Sequence, residues 1–263
     1  MDLGLKGKRA LVMGGAKGLG RSIADALAAE GTVLTISGRD VAAMEKAAGE
    51  LRALGAPAVT VVQADVASGE DMDRLADTAV KAMGGVDILV LNHGGPPVCT
   101  ASEMKEADLV KWFQNIVVSP IRITMRLMPA MRAQKYGRVI VVGSSGMQHP
   151  IPTLALSNTL RASIWAWLKT LSAEVAADGV TMNVLAPGSI RTDRILQTAA
   201  VRAEKAGTSV EEEIAKAGRE IPAGRVGEPH EYGPMGAFLA GVTGAYITGT
   251  MVRVDGGRVR SML

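Results

Sequence analysis

Residues Arg9 to Gly20 read RALVMGGAKGLG. The first five, Arg9–Met13, form a short apolar run of strand character, and a helical pattern over residues 19–30 follows. Between the two lie glycines at 14, 18 and 20. Glycine reaches positive φ without strain and lets backbone N–H groups approach a bound molecule closely. The helix that opens there presents unpaired N–H groups and the positive end of its dipole to an anion. Glycines alone are weak evidence. Glycines between a strand and a helix predict a cradle for the pyrophosphate of a dinucleotide.

The same alternation continues outward from this stretch. Strand-like runs are expected at residues 32–37, 58–63, 86–91, 138–142, 181–186 and Met251–Val254. Helical patterns separate them at Val41–Leu54, 70–83, 108–134 and 154–177. Continuous apolar strands alternating with helices imply a parallel sheet covered on both faces. With right-handed crossovers this is an α/β fold, a Rossmann-type doubly wound sheet of seven strands. No Pro/Ser-rich linker or internal repeat interrupts residues 1–263, so one domain is expected. Residues 192–224 break the rhythm: they are polar and helical, with Glu211, Glu212 and Glu213 in a row. Following the sixth strand, they lie beyond the carboxyl edge of the sheet, as either a solvated helical pair or a substrate lid.

Composition narrows the function. Of 263 residues 48% are hydrophobic but only 3% aromatic, so the core is aliphatic. The net charge of +3 comes without a basic run, which argues against nucleic acid as a partner. A single cysteine, Cys99, excludes an intrachain disulfide framework and a multi-cysteine metal site, and no metal is expected. The first residues lack an apolar signal stretch, and no apolar run approaches the ~18 residues of a membrane span. A cytoplasmic protein acting on a small molecule, away from membranes, is the expectation.

Further motifs follow in order: Asp65-Val66 after the third strand, Asn92-His93-Gly94-Gly95 after the fourth, Pro187-Gly188-Ser189-Ile190-Arg191-Thr192 after the sixth, then Arg225-Val226-Gly227-Glu228-Pro229 and Val254-Asp255-Gly256-Gly257. With the glycine loop, these resemble the short-chain dehydrogenase/reductase family over nearly the whole chain, although Met13 replaces the usual Thr before the loop. The resemblance implies an oxidoreductase acting on a carbonyl or alcohol, with a 3-oxoacyl reductase as one form of it. It implies that Gly14, Gly18, Leu19 and Gly20 hold the pyrophosphate and that Asp65 and Val66 meet adenine. It assigns Asn92 and Gly94 to the cofactor cleft, and Pro187, Gly188, Ile190 and Thr192 to the nicotinamide. It also implies a homo-oligomer, a tetramer or a dimer, paired through the helices at 108–134 and 154–177.

Charge selects the cofactor. NAD-binding sheets place an acid at the end of the second strand for the ribose 2′-hydroxyl. Here Gly38 stands at that point and Arg39 follows. A guanidinium suits a 2′-phosphate, and Lys17 in the glycine loop supplies a second cation, so NADP (NADPH) is expected. Asp40 is expected to cap the next helix.

At the chemistry itself the resemblance breaks. The family uses a Ser, a Tyr thirteen residues later, a Lys four beyond that, and an Asn on the helix after the fourth strand. Ser144 matches the Ser, but Ser157 stands for the Tyr and Arg161 for the Lys. The Asn position falls on Ile116, with Asn115 beside it. A serine hydroxyl is a far weaker acid than a phenol, and arginine stays charged, so neither relays a proton well. Tyr136, Tyr232, Tyr246 and Cys99 lie outside the motif. The resemblance implies that the loops carrying His93 and His149 border the nicotinamide end of the cleft, and histidine as a residue type suits acid/base work. Ser144 is therefore expected to be retained for catalysis, Arg161 to anchor the cofactor ribose or an anionic group, and Ser157 to widen the pocket. A water in that space is expected to carry the proton from His149 or from bulk solvent. A non-redox enzyme, or an NADP-binding protein without turnover, is the alternative.

Overall fold

The opening strand, β1 (Arg9–Met13), lies in the middle of a sheet and pairs in parallel on both sides. The computed structural model describes residues 1–262. The other strands are β2 (Val33–Gly38), β3 (Val59–Gln63), β4 (Ile88–Leu91), β5 (Gly137–Val142), β6 (Val180–Pro187) and β7 (Met251–Val254). All seven run parallel in the order β3-β2-β1-β4-β5-β6-β7. The sheet is the one expected from the alternation of strand and helix. β4 and β5 are buried along their whole length, which is why ILVL in β4 and VIVV in β5 read as apolar runs, with Arg138 the one charged residue among them.

Helices cover both faces. On one lie α1 (Gly18–Ala29), α2 (Val41–Leu54) and α9 (Pro229–Ala240), packing Ile23, Leu27, Leu51 and Leu239 onto the sheet. On the other, α3 (Gly69–Met83), α5 (Ser119–Ala133) and α6 (Ala155–Val175) bury Leu75, Leu127, Ile164 and Leu168. Each such side chain contributes about 1.5–3 kcal/mol by leaving water. Asp40 caps α2 as expected, its Oδ1 accepting from the Ala43 N–H at 3.0 Å.

Two elements differ from the sequence reading. The helix at 108–134 is interrupted: α4 (Glu106–Phe113) passes through a π-turn at Gln114–Val118 into α5. Such a turn inserts one residue and re-aims the following helix. The second difference is α9, which the sequence reading did not contain. Gly233, Pro234 and Gly236 resemble helix breakers, but the small residues are what the packing requires. A Cβ at Gly233 would overlap the Ser22 carbonyl oxygen, and one at Gly236 would lie 2.9 Å from Ile23 Cγ1. The helix starts from a reciprocal cap between Glu228 and Glu231 with Pro229 at its first position.

Residues 192–224 contain α7 (Asp193–Ala206) and α8 (Val210–Arg219), a helical pair with a small core of Ala199, Ile214, Ile221 and Val226. Ser209 and Glu212 form a capping box at the start of α8.

At the amino end of the sheet Asp87 is 5% exposed and ties β1 to α5. It accepts from Arg9 N at 2.9 Å, Arg9 Nε at 2.8 Å, Arg9 Nη2 at 2.6 Å and Gln134 Nε2 at 3.1 Å. Burial pushes its carboxyl up, and the Arg9 bonds and charge outweigh this, holding it below the ordinary carboxylate value. A depressed folded value means the stabilisation is present above the unfolded pKa, near ~4, and is lost as pH falls through the folded value. Asp87→Ala should therefore cost about 2–3 kcal/mol in urea unfolding at neutral pH. The difference from the wild type should shrink in acid. A difference that stays constant down the acid limb would contradict this account.

Candidate active site

The carboxyl ends of the strands build the site. After β1, Gly14 and Gly18 take φ of 61° and 62°. Gly20 is needed for space: a Cβ there would lie 2.5 Å from both the Gly14 carbonyl oxygen and Asn92 Nδ2. Asn92, just past β4, donates from Nδ2 to the Gly14 carbonyl at 3.3 Å and so ties the loop to the centre of the sheet. Leu19 packs beneath the loop against the α1 face of the core. The bare backbone here and the start of α1 suit the pyrophosphate of a dinucleotide.

Arg39, just after β2, and Lys17, just before α1, are both exposed. A Cβ on Gly38 would lie 3.3 Å from Met44 Sδ, so a larger residue there needs the methionine to shift by a few tenths of an ångström. Asp65 caps its own turn, Oδ1 accepting from Ala67 N at 3.0 Å, and the Val66 carbonyl accepts from Ser119 Oγ at 2.6 Å.

The segment after β6 is braced by both C-terminal motifs. Gly188 N donates to the Val254 carbonyl at 2.9 Å, and Arg191 N to the Gly227 carbonyl at 2.8 Å. Arg258 Nη1 donates to Ser189 Oγ at 2.6 Å. Pro187 ends β6, Ile190 is buried, and Thr192 precedes α7, with its Cγ2 3.8 Å from where a Gly18 Cβ would stand.

Ser144 leaves β5 and accepts at Oγ from Gly146 N at 3.1 Å, which leaves its own O–H free to donate. Asn158 on α6 holds the loop that follows, donating from Nδ2 to the Ile151 carbonyl at 2.9 Å. One turn apart on α6, Ser157 and Arg161 are both buried. Arg161 donates from Nε to Ser157 Oγ at 3.2 Å and from Nη1 to the Val142 carbonyl at 2.7 Å. Burial, helped by the charge of Arg194, pushes Arg161 down to about 10, so it stays charged at neutral pH. The π-turn brings Ile116 and Val117 against Leu156 and Leu160 of α6, and leaves Asn115 buried with Oδ1 unpartnered.

The histidines part company. Burial and the Arg161 charge hold His93 well below the ordinary imidazole value, so its ring is neutral and Nδ1 donates to the Gly94 carbonyl at 2.8 Å. His149 is exposed, its backbone N–H donating to the Ser145 carbonyl at 3.0 Å. The tyrosine hydroxyls are bound to backbone or exposed, and Tyr232 stands in the field of Arg161. Tyr136 donates to the Ala240 carbonyl at 2.8 Å, Tyr232 is buried and donates to the Leu185 carbonyl at 2.9 Å, and Tyr246 is exposed. Sequence reasoning missed Asn158 and Arg194. Arg194 opens α7, lies over Gly95 and donates to the Pro96 carbonyl at 3.5 Å. Among the described residues no group of three His, Cys, Asp or Glu side chains could hold a metal ion. No described helix is long and apolar enough to cross a membrane.

Residues 14–258 match the family described as Enoyl-(Acyl carrier protein) reductase. The chain belongs to the short-chain dehydrogenase/reductase family. It is 31% identical over 255 residues to 3-oxoacyl-[acyl-carrier-protein] reductase FabG of Haemophilus influenzae, covering 96% of this chain and 98% of that one. It is 33% identical over 256 residues to human dehydrogenase/reductase SDR family member 4, covering 96% of this chain and 88% of that one. Among solved structures, L-sorbose reductase from Gluconobacter frateurii, complexed with NADPH and L-sorbose, superposes with a TM-score of 0.96 at 28% identity and full coverage of both chains. As a member of the short-chain dehydrogenase/reductase family, the chain is an NAD(P)-dependent oxidoreductase.

Proposed function

We propose that this chain uses NADP(H) to interconvert a carbonyl and an alcohol without the family's tyrosine. The observation that carries the reading is an intact glycine cradle with the exposed Arg39 after β2 and a glycine, not an acid, at position 38. When bound, the nicotinamide supplies or accepts a hydride. Ser144 Oγ, free to donate, orients the substrate oxygen. Ser157 Oγ accepts from Arg161 Nε, and a serine in place of the tyrosine leaves the space of a missing ring. Arg161 stays charged and holds the cofactor ribose or an anionic group, so the proton comes from solvent water, which exposed His149 can exchange.

A positioned acid is worth about 10²–10⁴-fold in rate, so turnover of simple ketones should be weak. Nicotinamide absorbance, followed with ketones, aldehydes and alcohols while NADPH affinity is measured separately, tests the reading. NADPH binding with no turnover of any compound would overturn the redox assignment. It would favour a non-redox enzyme or a binding protein, a reading that the buried Ser157–Arg161 pair already supports. Ser157→Tyr combined with Arg161→Lys should raise ordinary ketone reduction about tenfold or more, since it restores an acid and the cation that tunes it. An unchanged rate would show that the pair is not what limits the chemistry.

A further inference from the structure

Arg161 and Arg194 reach the cleft with no carboxylate to meet them. Neither makes an ion pair among the described residues, although ten such pairs occur elsewhere. Arg161 is 8% exposed, Nε and Nη1 are committed to Ser157 and Val142, and Nη2 has no hydrogen-bond partner among the described residues. A buried charge without a counter-ion is costly. Arg194 stands in the first turn of α7, where the helix dipole opposes a cation. Among the described residues the one hydrogen bond its guanidinium makes is the 3.5 Å contact to the Pro96 carbonyl. The same loop meets both cations: His93 lies in the field of Arg161, and Gly95 and Pro96 touch Arg194. The two guanidiniums also repel one another: burial first, and then the Arg194 charge, lower the Arg161 value. Every one of these costs is relieved by an anion between them.

The anion has to be placed. The cofactor's pyrophosphate has the Gly14–Gly20 loop and the start of α1, and its 2′-phosphate has Arg39 and Lys17. Arg161 instead binds the Val142 carbonyl, two residues short of Ser144. An anion there lies beside the carbonyl that Ser144 orients. We infer that the substrate is an oxo acid whose carboxylate is clamped between Arg161 and Arg194. This rests on the carbonyl-reductase reading above and names its substrate class. Bidentate guanidinium–carboxylate pairing supplies both energy and orientation.

Calorimetric titration of the protein saturated with NADP⁺ tests the clamp without turnover. The probes are 2-oxobutanoate, 3-oxobutanoate and 4-oxopentanoate, each beside its methyl ester. At least one acid should bind about 30-fold or more tighter than its ester, as charge-assisted hydrogen bonds allow. Arg194→Gln should cut that ratio about tenfold with NADP⁺ affinity unchanged, and Arg194→Lys should keep most of it. The inference is overturned if no acid outbinds its ester. It is also overturned if Arg194→Gln weakens NADP⁺ while leaving the ratio intact, since Arg194 then serves a cofactor phosphate. Binding of an acid without NADPH oxidation by any carbonyl compound would sustain the clamp and sink the reductase reading, so the two fail separately.

Discussion

Gly20→Ala should abolish measurable NADPH binding and lower the melting temperature by about 5–10 °C. Alanine is the better helix former by about 1 kcal/mol, so propensity alone would predict a gain. Space decides otherwise. The new Cβ would lie 2.5 Å from the Gly14 carbonyl oxygen and 2.5 Å from Asn92 Nδ2. One contact is backbone and cannot swing away. The other belongs to the side chain that ties the loop to β4. Overpacking of this kind costs about 1–3 kcal/mol, and a domain of this size loses about 2–4 °C per kcal/mol. Gly18→Ala is the useful contrast. Its Cβ would meet only Thr192, at 3.8 Å, but φ is 62°, so the cost there is conformational. Fluorescence titration with NADPH and a thermal melt check both variants. If Gly20→Ala bound NADPH within about threefold of wild type, well under the ~1.4 kcal/mol of a tenfold change, the glycine loop would not be the cofactor site.

Arg39→Asp should invert the cofactor preference. The wild type is expected to favour NADPH over NADH by about 100-fold or more, because two cations meet the 2′-phosphate and each charge-assisted bond is worth about 1.5–3 kcal/mol. The substitution removes one of these bonds and sets a carboxylate against the phosphate. It also supplies the ribose 2′-hydroxyl with an acceptor. The ratio of affinities should swing by about 10³–10⁴-fold at low salt, with less of a swing at high salt because Arg39 and Lys17 are exposed and screened. Equal affinity of the wild type for the two cofactors would remove the argument.

The fold was legible because its signal is repetitive. Each strand is a short apolar run and each crossover a helix, so errors of a residue or two at the ends changed nothing in the topology. What escaped was local. The π-turn at 114–118 leaves no mark in composition, since QNIVV suits an ordinary helix as well. Helix α9 escaped because Gly233, Pro234 and Gly236 read as interruptions until α1 lies against them. Its legible signals were the Glu228 and Glu231 cap and Pro229. At the candidate site, the glycine loop between a strand and a helix and the cation at Arg39 after β2 are features that spacing and context bring out of the sequence. Asn158 and Arg194 are not, because their meaning depends on which loops they meet. For Arg194 one signal was available in principle: a cation in the first turn of a predicted helix, where the dipole disfavours it.

The position of β1 in the middle of the sheet carries a consequence for synthesis. Its first partner, β2, follows after a single helix, with Arg9 beside Val33. Its second partner, β4, is much later in the chain, with Ala10 beside Ile88. As the chain leaves the ribosome, one edge of β1 stays open until three helices and two further strands have emerged. An open apolar edge is a template for pairing with the wrong chain, and non-local parallel pairing is slow to form. Asn92 follows β4 directly, so the bond that steadies the glycine loop arrives with the strand that closes that edge. Affinity for dinucleotide and protection of the nascent sheet are thus acquired in the same step.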